Sequence, residues 1–289
     1  MFSLFLLVAC DKTPSNTTPT GPSPTVEQLA PSPTPTEEIV YVAFVNGEGI
    51  RQSSYEANLA QFQEAQAEFG NLLEEGETAG NRVIEALVNR LLLSQAARAA
   101  GFYADDSVVD ARMQLLTEQA GGQDAIGSWM DRYGYSMATF RIELALEIEA
   151  AWQREQVTNT VPETAEQVKA RQIFFYDAYM ASRAHNQLSA GALFENVAQA
   201  NDPRNLGHLD WFPRGYLFYP ELEAAAFSLP PGAFSEVIET EIGYHILYIL
   251  DYDPNRPLSS DARLTLQTRA LEDWLAQRRG QSQVEILLP

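Results

Sequence analysis

The sequence is poor in cysteine, histidine and positive charge. Its one cysteine, Cys10, excludes an intrachain disulfide and any multi-cysteine zinc site. Three histidines, His185, His208 and His245, leave little from which to build a buried metal centre, so no metal and no cofactor is expected. Lys and Arg number 19 against 39 Asp and Glu, for a formal charge of −20. A nucleic-acid backbone needs clustered cations, so nucleic acid is excluded as a partner. The apolar N-terminal run Phe2–Val8 is too short to span a bilayer. With 45% hydrophobic and 10% aromatic residues, the 289-residue chain can still bury a sizeable core in about two domains.

The N-terminal run ends in Leu7-Val8-Ala9-Cys10, which resembles a bacterial lipobox behind a secretory signal. The resemblance implies a signal segment over 1–10, cleavage before Cys10, and diacylglycerol on its sulfur. The mature protein would then be extracytoplasmic, lipid-anchored to the bacterial cell membrane through Cys10. Two acyl chains hold far better than one, at ~0.8 kcal/mol per buried methylene. Residues 11–38 repeat Thr-Pro and Ser-Pro and lack large apolar side chains. They read as a disordered tether, because burial cannot offset the entropy of ordering them.

The ordered chain is predicted to begin with a strand over Ile39–Val45, closed by an Asn46-Gly47 turn. Ser53 or Ser54 is expected to cap a helix that runs to Phe69 and stops at Gly70. A second helix spans about Asn81 to Ala100, with Val83, Ile84, Leu87, Val88, Leu91 and Leu92 at helical spacing. Asp105 or Asp106 caps a third helix, short helical pieces follow over 122–133, and Ser136 caps a long helix through Gln156. A polar connector over 158–167 leads to a strand over Val168–Phe175. After two short helical patterns come Asn205-Leu206-Gly207-His208-Leu209-Asp210-Trp211-Phe212-Pro213-Arg214-Gly215, the turn Leu229-Pro230-Pro231-Gly232, and the strand Ile242–Leu250. The polar stretch Asp253–Pro257 ends this block. A last helix starts near Ser260, with Leu264, Leu266, Leu271 and Trp274 expected on its apolar face. The tail Val284–Leu288 reads as a strand.

The blocks around Gln172, Gly207 and Ile242-Gly243-Tyr244-His245-Ile246, with Phe227-Ser228-Leu229 and Pro231-Gly232, resemble a parvulin-type (PpiC) peptidyl-prolyl isomerase domain. The upstream segments Val45-Asn46-Gly47-Glu48, Ile84–Leu92 and Ala99-Ala100-Gly101-Phe102 resemble the N-terminal domain of SurA-type and PrsA-type foldases. The implied class is α+β: a helical SurA-like chaperone domain over 39–160, and a parvulin-like α+β domain over 168–253 with a small antiparallel sheet flanked by helices. The resemblance also implies that the C-terminal helix and strand over 258–289 return to the chaperone domain, the tail pairing against Ile39–Val45. The implied activity is extracytoplasmic prolyl isomerisation and foldase action on unfolded, proline-containing polypeptides. The alternative is a catalytically degenerate parvulin fold that binds clients without isomerising them.

The resemblance nominates the site residue by residue. His245 matches the second histidine of the parvulin site, Asp202 the family's cysteine or aspartate, and Thr240 a polar position before the Gly-Tyr-His motif. The proline cup falls to Leu217 or Phe218, with Leu222 and Phe227; the local sequence holds one residue more than the usual pattern. Two departures stand out. Gln172 occupies the place of the first histidine, and glutamine does not titrate near neutral pH. The usual Gly-Gly-Asp-Leu-Gly loop is Leu206-Gly207-His208-Leu209-Asp210, with two glycines fewer and correspondingly less backbone freedom.

Overall fold

The computed structural model describes residues 39–70, 72–201 and 207–288; the segments over which a signal and a tether are expected, with Cys10, lie outside them. Contacts divide the chain into two units. One holds the described residues up to Gln153 together with those from Gln277 onward, and the other holds Arg154–Ala276.

In the first unit, β1 (Tyr41–Val45) and β2 (Glu48–Arg51) form an antiparallel hairpin. Its two turn residues, Asn46 at φ 52° and Gly47 at φ 83°, are both left-handed, which matches the twist of the flanking strands. The tail strand β7 (Val284–Ile286) pairs along the other edge of β1, with Val45 opposite Val284 and Ala43 opposite Ile286. The Asn46 side chain accepts from the Gln283 amide at 3.0 Å and donates to Gln95 at 2.8 Å.

Five helices follow: α1 (Gln52–Phe69), α2 (Ala79–Ala99), α3 (Asp106–Ala120), α4 (Gln123–Arg132) and α5 (Met137–Thr158). The apolar stripe of α2 is buried as its spacing requires, packed on Val42, Val45, Ile50 and Phe62. Asp105 caps α3 by accepting from the Ser107 and Val108 amides at 3.0 and 3.1 Å. Ser136 and Thr139 exchange bonds at the start of α5. The α1 start differs from expectation. The helix begins at Gln52 without a side-chain cap, and Ser54 is buried inside it. Its hydroxyl is spent on Glu143 of α5, at 2.6 Å, rather than on the helix end. Glu143 also pairs with Arg90 of α2, both being largely buried. Glu149, one turn and a half further along α5, accepts from Ser94 at 2.6 Å and from the Ala104 amide at 3.2 Å.

The second unit is built on a sheet ordered β4-β3-β6-β5, antiparallel throughout. Its strands are β3 (Thr164–Phe175), β4 (His208–Pro213), β5 (Ile238–Thr240) and β6 (Gly243–Pro257). The polar connector and the polar ending are not loops. Thr164 lies opposite Pro257 and Ala165 opposite Arg256, which extends the β3–β6 ladder through both. The buried Gln167 amide donates to the Arg256 and Pro257 carbonyls at 2.9 and 3.1 Å, which lets such a polar stretch join a sheet.

Alternation sends β3 residues to two faces. Ile173 and Phe175 pack under α6 (Ala178–Ser189) and α7 (Phe194–Asn201). Val168 and Ala170 pack with Phe212, Leu247 and Ile249 under α8 (Pro220–Ser228). Along α9 (Ser260–Gly280) only Ala262 is buried, and Leu264 is 53% exposed. Residues 264 and 266 lie ~200° apart round a helix, so the two leucines cannot share one face.

Replacing Glu143 by Ala would leave Arg90 buried without its partner. The expected loss is about 3 kcal/mol or more of unfolding free energy, read from the urea midpoint. An unchanged midpoint would show that the pair carries no weight.

Candidate functional site

His245 sits early in β6 and is 1% exposed. Its cross-strand neighbours are Phe174 on β3 and Ile238 on β5. Thr240 ends β5 opposite Gly243, so the short β5–β6 turn brings its hydroxyl back over the ring. Thr240 Oγ1 donates to the Gly243 carbonyl at 3.2 Å and lies 2.9 Å from His245 Nε2. Which of the two donates in the second bond depends on the tautomer of the ring. Burial lowers the pKa of His245, so the ring is neutral at pH 7. The other ring nitrogen, Nδ1, is a donor or an acceptor according to that tautomer. That atom is buried and has no hydrogen-bond partner.

Period-two alternation puts Gln172 and Phe174 on the same face of β3 as His245 is on β6. The rings of Phe174 and Tyr219 stand 5.1 and 6.2 Å from the imidazole. An open cleft of about 450 Å³ runs past Gln172, Phe174, Tyr176, Met180, His208 and Leu209. The Gln172 backbone N–H donates to the Gly207 carbonyl at 2.6 Å. Gly207 has φ +71°, and a Cβ there would lie 1.9 Å from the Gln172 oxygen, so this glycine of the altered loop has no substitute. Asp210, three residues on, adopts φ 59°, a left-handed conformation uncommon for a residue with a side chain.

Leu222 is buried on α8, and Leu217, Phe227 and Tyr219 pack on the same cluster. Phe218 is 75% exposed. Of the two alternatives for the cup, Leu217 therefore lines the apolar cluster and Phe218 does not. Leu209 joins that cluster and also lines the cleft, a position the sequence reading missed. The signal was present: an apolar residue flanked by polar His208 and Asp210 in an alternating strand. His208 is exposed on the cleft wall and tied to Arg171, whose guanidinium lies 3.2 Å from Nε2. Asp202 lies outside the described residues, as does Cys10. Among the described residues no group of His, Cys, Asp or Glu could hold a metal ion, and no helix is long and apolar enough to cross a membrane.

A family model described as the PPIC-type PPIASE domain matches residues 177–251, which contain Leu217, Leu222, Phe227, Thr240 and His245. Another, the SurA-like N-terminal domain, matches residues 34–123. The chain joins a PPIC-type isomerase domain to a SurA-like domain. It is 24% identical to foldase protein PrsA of Halalkalibacterium halodurans over 253 residues, covering 76% of this chain and 73% of that one. It is 26% identical to foldase protein PrsA of a Geobacillus species over 219 residues, 72% and 76% of the two chains. Chaperone SurA of Alcanivorax borkumensis is 29% identical over 134 residues, 43% of this chain and 30% of the relative. The isomerase-domain match starts beyond β3, so Gln172 lies ahead of it.

Two outcomes are expected. Because the folded pKa of His245 is lowered, the unfolded chain takes up this proton first as pH falls. Stability from this group is full above the ordinary value of 6.5 and is lost as pH drops through the lowered folded pKa. Urea midpoints between pH 5 and 8 should therefore fall less steeply for His245→Gln than for the parent; parallel curves would remove the effect. Asp210→Gly should raise stability by ~1 kcal/mol, since glycine adopts the left-handed conformation without the Cβ penalty. A drop instead would mean that the Asp210 side chain has a role its exposed position hides.

Proposed function

We propose that this chain is a foldase that captures unfolded, proline-containing polypeptides and isomerises their prolyl bonds. The observation that carries the reading is the neutral His245–Thr240 pair beside an apolar cluster of Leu209, Leu217, Leu222 and Phe227, within the PPIC-type match. Prolyl isomerisation needs no nucleophile and no cofactor; the barrier is the ~18–20 kcal/mol partial double bond. A catalyst must fit the twisted amide better than the planar one. The apolar cluster holds the proline ring. Gln172 offers an amide donor to the rotating carbonyl without titrating. Thr240 and His245 fix the floor of the site. The SurA-like unit holds clients, and the surplus of acidic residues favours basic or neutral segments over acidic ones, an effect that salt screens.

The protein works outside the cytoplasm, anchored to the cell membrane through lipid on Cys10. The proline-rich tether, at ~3 Å per residue, lets the folded body stand several nanometres off the surface. A second reading, that the parvulin fold binds clients without isomerising them, is favoured by Gln172 in place of the first histidine and by Asp210 at a left-handed position.

A peptide isomerisation assay on the chain from Ile39 onward separates the two. The isomerase reading expects acceleration by the parent and a loss of about ten-fold or more in His245→Ala, with the domain still folded. If the parent is inactive yet suppresses aggregation of an unfolded client, and Gln172→His creates activity, the second reading holds. An inactive parent that also leaves aggregation unchanged would defeat both.

A further inference from the structure

The segment from Gly215 to Tyr219 joins β4 to α8 and carries Leu217. It has one residue more than the parvulin pattern to which it is similar, and a longer connection has more ways of placing a side chain. Three contacts from α9 restrict it, all made by residues of the second unit. The Tyr216 hydroxyl donates to Asp261 Oδ2 at 2.5 Å. Arg269 Nη2 donates to the Leu217 carbonyl at 2.9 Å. Leu266 packs so closely on Gly215 that a Cβ there would stand 3.0 Å from Leu266 Cδ2, and Gly215 has φ +78°. At its far end the segment is held by α8 itself, where Glu223 accepts from the Gly215 amide at 2.5 Å.

α9 lies wholly beyond the residues that match the isomerase domain, 177–251. Its apolar contribution is slight, with Ala262 its one buried residue. What α9 brings to this segment is mainly a carboxylate and a guanidinium, each aimed at a single position. The Arg269 bond goes to a backbone carbonyl and so constrains the main chain at the residue whose side chain enters the cup.

We infer that α9 is a working part of the isomerase site: Asp261 and Arg269 are positioning residues that fix the Gly215–Tyr219 segment and thereby preset Leu217 in the proline cup. The inference rests on the isomerase reading above. It makes the cup a composite, with one wall fixed from outside the block that the family match delimits.

The test uses the full chain and the variants Arg269→Met, Arg269→Lys and Tyr216→Phe, with a short Ala-Pro-Phe peptide as probe. Arg269→Met and Tyr216→Phe should each weaken peptide binding about five-fold, the equivalent of one hydrogen bond, seen as a higher KM at nearly constant kcat. Arg269→Lys keeps a donor and should recover part of the loss. Amide hydrogen exchange should quicken over 216–219 and stay slow over 244–249. A purely structural role would lower the melting temperature and leave KM and the exchange pattern as in the parent, and that result overturns the inference. If the parent accelerates no peptide, the isomerase reading has failed. The brace then stands only if exchange over 216–219 still quickens in Arg269→Met, and falls if it does not.

Discussion

The β3–β6 ladder is the constraint on which the second unit depends. It runs from Thr164 opposite Pro257 to Phe175 opposite Tyr244. A one-residue slip in a two-faced sheet sends every side chain to the wrong side. Here such a slip would move Gln172 and Phe174 under α6 and α7 and turn Ile173 out of its core to the opposite face. It would also part His245 from the aromatic ring beside it. The register is held by burial on both faces, Ile246 against one set of helices and Leu247 against the other. It is held too by a bulge between Lys169 and Ala170 that fixes where the ladder shifts. Geometry at the site is therefore a by-product of a core that would be needed in any case.

How much of this was legible beforehand depends on how local the signal is. The α2 stripe, the Asn46-Gly47 turn and the Asp105 cap are decided by residues within a turn or two of each other, and each was readable. Leu217 and Phe218 could not be separated from sequence, because their fates turn on a cluster assembled from β3, β4, β6 and α8. Ser54 was misread as a cap for the same reason. A serine beside a helix start satisfies the local rule, and only the partner 89 positions away, Glu143, overrides it. The polar residues around Thr164 and Asn255 looked like loops because their strand character comes from pairing with one another, with Thr164 donating to Asn255 at 2.6 Å. Non-local polar bonds leave no periodic trace.

The first unit has a different logic. Its α2–α5 contact is partly polar, with Glu143 and Glu149 both buried and both multiply bonded. Buried ion pairs add little net stability over apolar residues of the same shape, but a missing partner is costly. Such contacts therefore select one helix register over others. An all-apolar seam between two long helices tolerates sliding by a turn, whereas Ser54, Arg90 and Glu143 meet in one register only.

The same distinction between what is fixed locally and what is fixed at a distance explains how the His245 ring is held. Its Nε2 is satisfied by Thr240, and Thr240 is satisfied by Gly243; all three lie in one short hairpin. Nothing in that set requires a second histidine. What stays open is Nδ1, a buried ring nitrogen whose desolvation is not repaid inside the folded protein. A polar atom kept dry and unpaired costs stability, and the face it occupies is the one shared by Gln172 and Phe174. The ring is thus held by local bonds, while Gln172 on the same face is a neutral amide that does not titrate near neutral pH.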